Sequence, residues 1–220
     1  MIEVLLPAGT PAVEAFTDVP DEAPYPGEED LVARAVAARR QEFVTARRCA
    51  REALACLGYA PAPIRPGPRR EPVWPDGVVG SITHCTGYRA AAVAPAGALA
   101  GLGIDAEPHE PLPDGVAGVV LTAGEPDRLA ALRAADPATH WDRLLFSAKE
   151  SVYKAWYPLT GRWLGFEEAE LTFDRSGRFT ARILVDGTRT DGGPALDVLD
   201  GRWLVAGGLL LTAVVVPHRQ

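Results

Sequence analysis

Apolar and polar positions along the chain follow two different periods, and the changes between them mark the elements. Residues 31–57 contain neither Pro nor Gly, and apolar side chains recur at Val32, Val36, Phe43, Ala50, Leu54 and Leu57. That spacing predicts one amphipathic helix, with Gly58 as its stop. Residues 1–30 carry five prolines and an acidic run, so they predict irregular chain with a strand near the start. A Pro-rich loop at 60–77 leads into strand patterns at 78–85, 88–94 and 99–107, with turns at Thr86-Gly87 and 95–97. A second Pro-rich loop covers 108–116, and a weaker helical pattern covers 123–134. Asp136-Pro137 predicts the start of a helix that runs to Tyr157, with Pro158 just beyond it. Its apolar stripe is Trp141, Leu144, Leu145, Ala148, Val152, Ala155 and Trp156. Strand patterns then occupy 169–173, 179–185, 203–206 and 209–216. A long helix ahead of antiparallel strands thus occurs twice. The order predicts an α+β pseudo-dimer of two similar halves, 1–106 and 107–220, packed as one unit.

The composition, 47% hydrophobic and 23% charged over 220 residues, fits a globular chain with a sizeable core. A net charge of −7 excludes a basic nucleic-acid-binding domain. No window of eighteen apolar residues exists, and Glu3 stands where a signal peptide needs positive charge. Three scattered cysteines, Cys49, Cys56 and Cys85, make no disulfide framework or metal-ligand spacing, so a cytoplasmic location is expected. Of 22 basic residues only Lys149 and Lys154 are lysines, and they flank Glu150 in FSAKESVYK. In a chain that otherwise uses arginine, these read as positions where a planar fork does not replace a compact charge.

Four groups of residues carry candidate chemistry. In GLGIDAEPHE, strand alternation puts Asp105 and Glu107 on one face, where two carboxylates invite a divalent cation. The alternative is a solvated strand end. Gly101 and Gly103 lack the third glycine and the helix of a dinucleotide fingerprint. On the helix of FSAKESVYK, Arg143, Ser147, Glu150 and Lys154 lie opposite the apolar stripe, with Lys149 at its edge. A solvated face with a Glu150–Lys154 salt bridge is the competing account. In VVGSITHC, Gly80, Ser81, Thr83 and His84 end a strand with small groups that admit a ligand close to the backbone. Finally, Leu31–Pro72 holds nine arginines against three acids, +6 within a −7 chain, which suits a polyphosphorylated small ligand.

In this order the blocks EPVWPDGVVGSITHC, GIDAE and FSAKESVYK resemble those of the Sfp-type 4′-phosphopantetheinyl transferases. WPDG before the second block and KAWYPLTGRWLGFE after the third are more like the enterobactin-synthase and actinobacterial PptT-like branch. Phe146 stands where many relatives have Trp, and the loop IRPGPRR uses arginine where relatives often use lysine. The resemblance implies transfer of 4′-phosphopantetheine from coenzyme A to a serine of an acyl or peptidyl carrier protein, releasing adenosine 3′,5′-bisphosphate. It implies Mg²⁺, with Mn²⁺ as a substitute, held by Asp105, Glu107 and Glu150, Glu107 directly or through water. Glu150, or a metal-bound water it orients, would deprotonate the serine, Lys154 would meet the phosphate under attack, and Lys149 and His84 the pyrophosphate. Ser81 and Thr83 would line the ligand. Arg39 and Arg47 would bind the 3′-phosphate, with Arg65, Arg69 and Arg70 as further coenzyme A contacts. A monomer with coenzyme A between its halves is implied. A Mg²⁺-dependent pyrophosphate hydrolase and a non-catalytic coenzyme A-binding module are the alternatives.

Overall fold

A computed structural model describes residues 1–218. The chain begins with a 3₁₀ turn (Ile2–Leu5) and a short strand, β1 (Ala12–Ala15). The predicted first helix is broken in two: α1 (Glu29–Val32) and α2 (Ala37–Cys56), with Val36 extended between them. Gly58, at φ +85°, closes α2 as predicted, its own N–H on Ala55 O and that of Tyr59 on Leu54 O. Strands β2 (Val78–Cys85), β3 (Tyr88–Pro95) and β4 (Leu99–Pro108) follow. After α3 (Ala117–Val120) and α4 (Glu125–Ala135) comes the second long helix, α5 (Trp141–Thr160). A 3₁₀ turn (Phe166–Glu168) leads to β5 (Ala169–Phe173), β6 (Arg178–Ile183), β7 (Val198–Ala206) and β8 (Leu209–Pro217).

Both ends of α5 differ from the expectation. Asp136 does accept hydrogen bonds from Ala138 N and Thr139 Oγ1, but they close a separate turn, and the helix starts at Trp141. At the other end Pro158 lies inside the last turn, and the stop is Gly161 in the left-handed conformation.

The fold is α+β with two antiparallel sheets. One has three strands in the order β1-β3-β2, and the other has five in the order β4-β8-β7-β6-β5. Helix α2 covers the first and α5 the second. By its ladder, then, β4 joins the C-terminal sheet, whereas the sequence division at residue 106 grouped it with the N-terminal half. Between the sheets, β2 and β4 share no backbone ladder. The hydroxyls of Ser81 and Thr83 bridge them, accepting from Ile104 N and Ala106 N, each at 3.0 Å.

Gly101 and Gly103 of β4 bring α5 against the strand. A Cβ on Gly103 would collide with the Ser151 carbonyl and lie 2.8 Å from Ala155 N; one on Gly101 would lie 2.9 Å from Leu159 Cδ1. This close packing puts the Glu150–Lys154 turn of the helix beside Asp105.

Candidate active site

Lys154 decides between the two accounts of the α5 polar face. It passes over Glu150, its neighbour one turn away, and donates to Asp105 Oδ1 at 2.7 Å and Ile104 O at 3.0 Å. Thr83 Oγ1 donates to the same Asp105 oxygen at 3.2 Å. The other oxygen, Oδ2, is buried and has no hydrogen-bond partner. Glu107, two residues on, is held by Arg143 Nη1 at 2.8 Å, and Arg143 Nη2 also donates to Pro111 O. Burial first, and then the Asp105 charge, push the Glu107 carboxyl up to about 6, against the pull of Arg143. Glu150 is likewise raised, mainly by burial, with Lys154 opposing and Asp105 adding. Two carboxylates raised by burial and by the Asp105 charge, around an Asp105 with an orphaned buried oxygen, are a donor set that a hard divalent cation relieves. Among the described residues, however, no three acidic, His or Cys side chains already converge as a metal cage.

Glu150 and Lys154 stand at a cleft of about 470 Å³ between α2, β2 and α5. Arg39, Arg47, Arg69, Arg70, Ser81 and His84 line it too. Arg39 Nη1 lies 3.2 and 2.9 Å from the two ring nitrogens of His84 and 3.2 Å from Glu42 Oε2. Burial, then Arg39, drives the His84 imidazole down to about 4, with Glu42 opposing. In the free protein His84 is therefore neutral at pH 7. Arg47 donates through Nε to Ile64 O and stacks on Phe43 at 3.7 Å. A second depression, about 580 Å³, lies on the far side of the five-stranded sheet and contains none of these residues. The chemistry converges at the smaller one.

Three expectations meet a different geometry. Lys149 is buried on the other side of α5, donating to Val120 O, Glu125 Oε2 and Phe166 O, so it does not reach the cleft. Arg65 turns away to Asp30 and Gly27 O. Thr83 is sealed between the sheets, and the Ser81 hydroxyl is occupied by β4 even though the residue borders the cleft. Arg143 shared the predicted polar face but was given no role, and the cleft tyrosines, Tyr153 and Tyr157, lay outside the four groups. Their spacing from Glu150, at −7, +3 and +7, was the available signal.

GSITH and KESVYK side chains border one cleft, and Asp105 of GIDAE is tied to it through Lys154. The 4′-phosphopantetheinyl transferase N-terminal domain matches residues 27–94, and the 4′-phosphopantetheinyl transferase superfamily matches 101–198. The chain belongs to the 4′-phosphopantetheinyl transferases. It is 56% identical to the 4′-phosphopantetheinyl transferase Svp of Streptomyces mobaraensis, over 98% of this chain and 89% of that one. Identity to PptT of Mycobacterium tuberculosis is 53%, over 92% and 90% of the two chains. Identity to Npt of Nocardia iowensis is 50%, over 97% and 99%. The transferase moves phosphopantetheine from coenzyme A to a carrier-protein serine.

Proposed function

We propose that Asp105, Glu150 and Lys154 form the transfer centre, with Arg39, Arg47, Arg69, Arg70 and His84 holding coenzyme A in the cleft. The observation that carries this is the Lys154–Asp105 pair: a cation bordering the arginine-lined cleft and a buried carboxylate behind it, joined across two elements, each with bonding capacity left over. Asp105 and Glu150 would hold Mg²⁺, with Glu107 beside them kept by Arg143. When bound, that ion neutralises the coenzyme A pyrophosphate.

In the reaction the serine Oγ forms a bond to the phosphorus that bears pantetheine, and the bond from that phosphorus to the bridging oxygen breaks. Adenosine 3′,5′-bisphosphate leaves with that oxygen. Glu150 would take the serine proton as general base. Lys154 spends two of its three N–H donors on Asp105 and Ile104 O, and the third serves the phosphoryl oxygens as charge shifts. His84 supplies an N–H. The transferase acts as a monomer, one chain furnishing the whole cleft. The three cysteines are free. Among the described residues no helix is long and apolar enough to cross a membrane.

Mass spectrometry of a carrier protein incubated with coenzyme A tests this. The wild type is expected to add one phosphopantetheine group, to stop in excess chelator and to resume with Mg²⁺. Asp105→Ala is expected to fold, with some loss of melting temperature from the buried acceptor it takes from Lys154 and Thr83, and to transfer nothing. Full transfer in chelator, or by Asp105→Ala, overturns the assignment.

A further inference from the structure

Within the irregular N-terminal chain the acidic run PGEED is exposed at Glu29 and Asp30 but buried at Glu28, which is 0% exposed. Glu28 Oε1 accepts from Arg51 Nη1 at 2.9 Å and from Ile64 N at 2.7 Å, and Oε2 is buried with no hydrogen-bond partner. Arg51, whose guanidinium lies 4.4 Å over the Tyr25 ring, balances the charge. A buried carboxylate satisfied this incompletely is costly, and Glu28 lines no part of the cleft.

What Glu28 holds, however, leads into the cleft. Ile64, 2% exposed, lies in the Pro-rich loop, and its buried N–H needs the acceptor that Glu28 supplies. The carbonyl of the same residue accepts from Arg47 Nε at 3.1 Å. With that bond made, and the guanidinium 3.7 Å over the Phe43 ring, the direction of the Arg47 terminal nitrogens follows the Ile64 peptide. The Glu28 charge also favours the Arg47 cation, against burial and the repulsion of Arg51, Arg39 and Arg65. At the surface, Tyr25 OH donates to Pro61 O, and Arg65 to Gly27 O and Asp30. Those exposed ties keep the same two segments together when Glu28 is changed, but none of them pairs the Ile64 N–H.

We infer that Glu28 is a positioning residue: it sets the Ile64 peptide, which aims Arg47 at the 3′-phosphate and so gives the enzyme a preference for coenzyme A over dephospho-coenzyme A. The inference rests on Arg47 meeting that phosphate.

The ratio of kcat/KM for the two substrates, in transfer to a carrier protein, tests it. Glu28→Ala removes the tether and is expected to lower the ratio about tenfold, near the low end for one charge-assisted contact, through KM for coenzyme A. Glu28→Gln is expected to keep the ratio. Its amide oxygen takes the Oε1 place, where both donors point, and its NH₂ the orphaned one, so the Ile64 bond survives while the ion pair with Arg51 is lost. Both variants are expected to lose melting temperature, so stability loss and positioning separate. Added to Arg47→Ala, Glu28→Ala is expected to lower the ratio no further. A wild-type ratio in Glu28→Ala, an equal fall in Glu28→Gln, or a further fall on the Arg47→Ala background overturns the inference. If Glu28→Ala does not fold, Glu28→Asp, one methylene too short to reach Ile64 N and Arg51 together, carries the test: a lowered ratio supports the tether, and a wild-type ratio rejects it. An undiminished ratio in Arg47→Ala removes the 3′-phosphate assignment and the inference with it. A ratio lost in Arg47→Ala but kept in Glu28→Ala rejects the tether alone.

Discussion

At Lys149 the ammonium meets three oxygens, and its partner Glu125 is saturated by backbone N–H groups. At Lys154, five residues further along the same helix, two oxygens are met and the partner Asp105 keeps one oxygen with none. Both pairs join α5 to a distant segment, and both use the scarce lysine. They differ in closure. A pair with every donor and acceptor committed can only hold structure. A pair left open toward a cleft keeps capacity for a ligand, and the cost of that incompleteness is tolerated where function needs it.

Replacing each lysine by arginine strains the contrast most. Lys154→Arg is expected to cut kcat by about 10²-fold, the scale for removing one preorganised stabiliser of transition-state charge, with little change in melting temperature. Lys149→Arg is expected to do the reverse, lowering the melting temperature because a larger head is forced into a closed, buried site. Thermal melts and single-turnover rates for both variants decide it. A Lys154→Arg enzyme with near-wild-type kcat reduces Lys154 to a structural tie.

A smaller effect is expected from Gly103→Ala, which acts on the distance between α5 and β4. Its Cβ would meet the Ser151 carbonyl and Ala155 N, so the helix has to move outward, at about 1–3 kcal/mol for overpacking of this kind. The Lys154–Asp105 pair spans that interface, whereas the Lys149 contacts lie with segments on the helix's other side. Calorimetry and kcat measured on the folded enzyme are expected to show activity falling further than stability. A folded Gly103→Ala enzyme with full kcat means the pair tolerates the shift.

The local signals that carried the sequence reading were those with a strict steric cause. Gly58, Thr86-Gly87 and Gly207-Gly208 lie where the chain turns, and strand alternation placed Ile104 inward and Asp105 across from it. The site blocks were legible because they fell on predictable elements. What stayed illegible depended on three-dimensional neighbours. Helical geometry put Lys149 near the edge of a polar face, but only the packing of 117–125 and 161–168 buries that edge. Gly101 and Gly103 could be rejected as a dinucleotide motif, yet their use, close helix approach, needs the identity of the opposing helix. Ser81 and Thr83 suited a ligand by size, but the two sheets meet without a ladder at that place, and the hydroxyls take the ladder's part.

The same criterion of closure separates the arginines, where the sequence said least. Arg65 places both terminal nitrogens on Asp30 and one also on Gly27 O, a closed fork outside the cleft. Arg47 commits only Nε, to Ile64 O, lies over Phe43, and borders the cleft with its terminal nitrogens unpaired among the described residues. Burial, with the nearby Arg51, Arg39 and Arg65 adding and Glu28 opposing, lowers it to about 10, so it is still a cation at neutral pH. An unpaired, partly desolvated guanidinium gains most from a phosphate dianion. Wild type is therefore expected to prefer coenzyme A over dephospho-coenzyme A, and Arg47→Ala to lose most of that preference through KM, since the 3′-phosphate is remote from the reacting bond. Charge-assisted contacts of this kind contribute roughly 1.5–3 kcal/mol, one to two orders of magnitude in the kcat/KM ratio. Arg65→Ala is expected to keep the wild-type ratio. The opposite outcome, preference lost with Arg65 and retained without Arg47, would mean that closure in the free protein does not mark which cations the ligand uses.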